Sequence, residues 1–215
     1  MTLRNDRYVL HRYRALAYPT EARSWYWGRA MTPTPAPQVN SYATQPIHRF
    51  LASDHRRLES LLEQAGASDP IDLVPFAAFR AGLLKHIGME EKVLLPAAQQ
   101  ARGGAPLPIA ERLRLQHGAI AALLVPTPTR AVLTALRSVL HAHNEIEEGA
   151  GGLYQICDEL EGLDAEAVVA RLRAYPEVPV HAHVDGPRIM AATERALLRA
   201  GFEDEAASLA AGSRD

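Results

Sequence analysis

One cysteine, Cys157, stands in a chain of 215 residues. No intramolecular disulfide is possible, and a reducing cytoplasm is the expected setting. No apolar run approaches the roughly 20 residues that a membrane-spanning helix needs, and the N-terminus lacks the apolar stretch of a secretory signal. Neither sign of charge is in excess: Lys and Arg total 23 against 25 Asp and Glu. That balance argues against a general binder of nucleic acid or of an acidic membrane. Convincing strand patterns are missing too. These absences leave a soluble helical chain and do not say what it does.

The N-terminal region differs from the rest. Residues 1–30 hold six arginines, both tryptophans and four of the seven tyrosines without a sustained period, and MTPTPAPQ follows as a proline-rich linker. Residues 1–40 read as a flexible basic and aromatic extension, in preference to an arm that touches RNA or a partner. Met31, just ahead of the linker, is an alternative start. Residues 41–162 read as four long helices, and 163–215 as a helical C-terminal segment.

Thr44 is expected to cap the first helix, with Pro46 in its first turn and an end near Gly66. Asp72 opens the second, which runs past Pro75 to Gly103 and Gly104. The third carries IAERLRLQHGAIAALL and stops at Pro126. Thr127 and Pro128 open the fourth, which carries TRAVLTALRSVLHAHNEIEE and is drawn as far as Leu160. Within it, Gly149, Ala150, Gly151 and Gly152 either bend the helix or end it early. Shorter helices over 165–174 and 187–200 take Asp164 and Asp185 as caps and Gly201 as a stop.

The apolar spacing exposes a repeat. The first helix places Leu51, His55, Leu58 and Leu62 on one face, and the third places Leu113, His117, Ile120 and Leu124. The second gives Phe79, Leu83, His86 and Glu90, and the fourth Leu136, Leu140, His143 and Glu147. All four sets step 4, 3, 4, the spacing of a seam that faces one core. Short connections make successive helices antiparallel, so the expected fold is all-α: an up-down-up-down four-helix bundle with short C-terminal helices and an irregular N-terminal extension.

Buried glutamates and histidines are costly unless paired or metal-bound. Four histidines and two glutamates converging in one core point to a pair of divalent ions. Carboxylates can bridge two ions, and imidazoles complete each coordination sphere. A histidine and a glutamate at i and i+4 lie on one helix face, a turn apart. The remaining candidates are weaker. His48 shares a face with His55 but sits two turns away. His141 and Glu145 follow Thr134 and Ser138 on a face that reads as solvated. His181, His183 and Asp185 read as an exposed, proline-bounded loop in preference to a second metal site. Glu91 and Glu148 point about 100° away from the ligands beside them and read as surface charges. Tyr154, two turns beyond Glu147 on the same face, reads as packing in preference to a hydrogen bond near the site, and Cys157 reads as packing.

The runs DHRRLESLL, HIGMEEKVLLP, LQHGAIAALL and HNEIEE, in that order over residues 48–157, resemble a bacterial hemerythrin-like (HHE cation-binding) domain. The resemblance implies a non-haem di-iron centre in a four-helix bundle. His55, His86, His117 and His143 would be terminal ligands, with Glu90 and Glu147 bridging. Oxygen-carrying hemerythrins usually have a fifth histidine one turn after the third, where this chain has Ala121. The likeness is therefore to the four-histidine, two-glutamate members, which include proteins implicated in repairing damaged iron–sulfur centres. Ferritin-like bundles are set aside because their Glu-x-x-His signature is absent from the seam.

The expected function is thus to bind, sense or react with oxygen, nitric oxide or peroxide. An iron-centre repair or detoxification enzyme, metal storage, and a structural zinc bundle stay open as alternatives. Imidazole and carboxylate suit iron, manganese and zinc alike; two iron ions are what the resemblance implies. Without a fused output domain, signalling would need a separate protein partner.

Overall fold

The computed structural model describes residues 45–212; the N-terminal extension, its linker and the expected Thr44 cap lie outside the described residues. Nine α-helices and one π turn account for the order in these residues, and no strand occurs among them. They are α1 (Pro46–Gly66), α2 (Leu73–Met89), a π turn (Glu90–Leu94), α3 (Leu95–Ala101), α4 (Ala110–Leu123), α5 (Arg130–Glu148), α6 (Leu153–Glu159), α7 (Ala165–Arg173), α8 (Pro187–Ala200) and α9 (Glu203–Gly212). No helix is long and apolar enough to cross a membrane among the described residues.

Local chemistry explains most boundaries. Asp72 caps α2 by accepting from the Val74 N–H at 2.9 Å, and Asp164 caps α7 through Ala167 at 3.0 Å. Gly201, in the left-handed region at φ 84°, ends α8. Several expectations need correction. The cap of α5 is Thr129, not Thr127: its hydroxyl accepts from Val132 at 3.2 Å. Asp185 caps no helix; it binds Thr127, and Gly186 holds the cap position of α8. The second helix does not run unbroken. Pro96 has no N–H for the Lys92 carbonyl, and Leu95 N–H reaches back to the Glu90 carbonyl, which widens the turn at Glu90. The fourth helix stops at Glu148 and does not reach Leu160. Gly149 and Gly152 are extended, Gly151 takes φ 73°, and α6 begins after this turn. The last helix, α9, was not expected.

Two apolar clusters form the core. One joins Leu58, Leu62, Phe79, Leu83, Ile120 and Leu136, and α8, α9 and the link between them add Leu197, Leu209 and Phe202. The other joins Ile47, Leu51, Met89, Leu94 and Leu113, with Leu153, Cys157, Val168 and Leu172 from α6 and α7. Helices α1 and α4 run from the second cluster to the first, whereas α2 and α5 run from the first to the second. Each crosses between the clusters at a seam histidine, so the polar residues lie in one layer with apolar packing on both sides.

Candidate metal centre

All six seam residues are buried: His55, His86, Glu90, His117, His143 and Glu147 are at most 6% exposed. They converge as two groups that can each hold a metal ion. His55, His86, Glu90 and Glu147 make the first; His117, His143, Glu90 and Glu147 make the second. Both glutamates belong to both groups. Within each group the donor atoms lie within 4.8 Å of one another.

The inward ring nitrogens face carboxylate oxygens. His86 Nε2 is 3.3 Å from Glu90 Oε1, and His143 Nε2 is 3.2 Å from Glu147 Oε2. His55 Nε2 is 3.5 Å from Glu147 Oε2, and His117 Nε2 is 3.2 Å from Glu90 Oε2. Proximity does not make these contacts hydrogen bonds. His117 Nε2, Glu90 Oε2 and Glu147 Oε1 are buried with no hydrogen-bond partner. Orphaned polar atoms in a dry core are costly. A cation among them would satisfy several at once, so the residues present fit a pair of metal ions.

The outward nitrogens are all engaged. His55 Nδ1 donates to Glu148 Oε1 at 2.5 Å, and His86 Nδ1 to Asp54 Oδ2 at 2.9 Å. His117 Nδ1 donates to Glu91 Oε1 at 2.8 Å, and His143 Nδ1 to Gln116 Oε1 at 3.1 Å. These acceptors have no proton to offer the ring, so each Nδ1 carries the hydrogen. In the neutral tautomer each Nε2 then presents its lone pair to the centre, which is the form a metal requires.

Glu91 and Glu148 are therefore not the surface charges expected of them. A direction about 100° from the adjacent ligand leads to a histidine on the neighbouring helix. Asp54 and Gln116, which precede His55 and His117, were missed for the same reason. Their one signal in the sequence is adjacency: each orienting residue directly precedes or follows a ligand, and it serves a ligand on another helix.

For Tyr154 the structure favours the bond near the site over packing alone. The turn after α5 carries α6 back over the core, and the buried Tyr154 hydroxyl lies 2.6 Å from Glu90 Oε1 and 2.9 Å from Glu147 Oε2. It is also 3.1 Å from His55 Nε2 and 3.3 Å from His86 Nε2. One hydroxyl proton cannot serve both carboxylates at once.

Without metal, protons supply the missing positive charge. Burial by itself would depress the His86 ring, but the Glu90 carboxylate and the bond to Asp54 raise it to about 10. Burial also opposes charge on His117, yet the facing carboxylates of Glu147, Glu90 and Glu91 raise it to about 11. Burial and the neighbouring Glu90 work against ionising Glu147; His143 and His117 outweigh them and hold it at about 2. Glu90 is likewise held well below the usual carboxylate range by His86 and His117 in spite of its burial. Burial and the same two carboxylates keep the Tyr154 phenol protonated well past its ordinary value.

The other candidates fall outside the centre. His48 Nε2 pairs with the Glu148 carbonyl at 3.1 Å. His141 and Glu145 are exposed and line a groove of about 600 Å³, which is also lined by His55 and Glu148 and so opens onto the first group. His181, His183 and Asp185 do not converge. The His181 carbonyl accepts from Arg80 at 2.7 Å, His183 stacks on Phe76, and Asp185 binds Thr127. Cys157 is buried, as expected of a small core residue. Comparison of the chain with family models, with curated proteins and with solved structures finds no match.

Proposed function

We propose that α1, α2 with its π turn, α4 and α5 form a hemerythrin-like four-helix bundle around a non-haem di-iron centre. Its role is to bind, sense or react with a small species: oxygen, nitric oxide or peroxide. The observation that carries the reading is the pair of two-histidine groups sharing Glu90 and Glu147. A single ion would not use six buried donor residues; two ions joined by common carboxylates would. When bound, such a pair supplies redox chemistry and open positions for a small ligand.

The chain's own residues do the rest. Asp54, Glu91, Gln116 and Glu148 fix the four rings and their tautomers. The two apolar clusters exclude bulk water from the layer between them. The groove beside His55 gives a small molecule a route in, and Glu148 stands along it. Ala121 leaves the position one turn after His117 without a side-chain donor. That favours reactivity over protected, reversible carriage.

A structural zinc pair is the second reading, because four donor residues per group also suit tetrahedral zinc. Protein purified from iron-replete cells separates the two. Two irons per chain with near-ultraviolet ferric absorption supports the first reading. A colourless protein carrying zinc supports the second.

A further inference from the structure

The two groups are not equivalent. In the first, the outward nitrogens of His55 and His86 both bond to carboxylates, Glu148 and Asp54. In the second, His117 bonds to the carboxylate of Glu91, but His143 bonds to the neutral amide of Gln116. The first group also holds the Tyr154 hydroxyl among its four donor atoms. Seven residues after Glu147 the chain has Tyr154; seven after Glu90 it has Ala97. Among the described residues, no hydroxyl is bonded to His117 or His143.

The geometry points to Tyr154 as a direct ligand of the ion in the first group and of that ion alone. This rests on the two-ion reading above. An ion bonding His55, His86, Glu90 and Glu147 enters a cluster in which the phenol oxygen already lies 2.6–3.3 Å from one donor atom of each. The ion must displace that hydroxyl or bond it. Displacement is disfavoured by the surroundings: the ring is fully buried on α6, packed in the same apolar cluster as Leu153 and Cys157. Every hydrogen bond of that hydroxyl is to this group, so pushing it aside would break all of them. As the metal–oxygen bond forms, the phenol proton leaves to buffer, and no electron moves.

The inequivalence has a chemical consequence. An anionic Tyr154 oxygen beside two carboxylate-bonded imidazoles would favour the higher oxidation state of an ion held there.

The test is a zinc titration of the chelated full chain, following bound zinc by elemental analysis and tyrosine ionisation by near-ultraviolet difference absorbance. The wild type should bind two zinc ions and ionise one tyrosine per chain. Tyr154→Phe should still take up zinc and lose that band completely. Tyr175→Phe, at a tyrosine that packs against Gly88 outside the centre, should keep it. Ferrous loading followed by air should give a visible phenolate-to-iron band in the wild type and Tyr175→Phe, and none in Tyr154→Phe. Two bound zinc ions with no ionised tyrosine in the wild type would overturn the assignment. So would a band that Tyr175→Phe removes. Failure of the wild type to bind any ion would instead overturn the metal reading, and this inference with it.

Discussion

His141 and His143 stand two residues apart on α5 and meet different surroundings. His143 is buried against Glu147, whereas His141 is exposed in the groove. His143→Ala should therefore lose most of the metal of the second group, and His141→Ala should keep it; elemental analysis of the two purified variants decides. The same scale holds the orienting residues. Glu91→Gln keeps the size of the side chain but removes the charge behind His117, and metal affinity should fall about 10–100-fold with helical content unchanged. A competition titration against a chromophoric chelator measures that loss, and an unchanged affinity would show that Glu91 does not tune its ring. The six buried histidines and glutamates were legible because each broke an apolar seam. Tyr154 was legible on the seam face, with a bond near the site as the alternative to packing. Asp54, Glu91, Gln116 and Glu148 were not, because a residue leaning off the seam reads the same whether solvent or another helix lies beside it. Only the packed neighbour settles which.

At the scale of elements, apolar spacing made the long helices legible, and cap residues fixed the starts of α2 and α7. What escaped was chemistry supplied from a distance. Gln45 holds the cap position of α1 without a side-chain cap bond. Asp158, on α6, accepts from Ile47 N and His48 N, both at 2.9 Å. One carboxylate thus closes the first turn of α1 and fastens α6, the helix that carries Tyr154. Asp158→Ala should cost about 1–2 kcal/mol of stability, as loss of a helix cap does. Thermal unfolding should show the drop in midpoint while two ions remain bound; an unchanged midpoint would mean that water replaces the cap at no cost. The π turn escaped for a related reason. Pro96 was visible, but a proline announces only that the helix must adjust, not whether it kinks, ends or widens.

For the whole molecule, the centre couples folding to protons and metal. The metal-free chain carries raised His86 and His117 rings, at about 10 and about 11 against an ordinary 6.5. Their stabilisation is fully present below pH 6.5 and is lost as pH rises through those higher values. Glu147 works in the other direction: its contribution is present above an ordinary 4.5 and is lost as pH falls through about 2. A bound metal would replace the ring protons. Loading near neutral pH should therefore release protons, and affinity should weaken as pH falls. The difference in melting temperature between loaded and chelated protein should be larger at pH 9 than at pH 6. A difference that stays constant or shrinks would show that the rings are not protonated without metal.

Stoichiometry tests the centre itself most directly. Elemental analysis of the full chain, purified under iron-replete conditions without added chelator, should give two metal ions per chain. Glu90→Ala, which removes a residue common to both groups, should lower the content of both sites together while the chain stays helical. One tightly bound ion in the wild type, or none, would contradict the account.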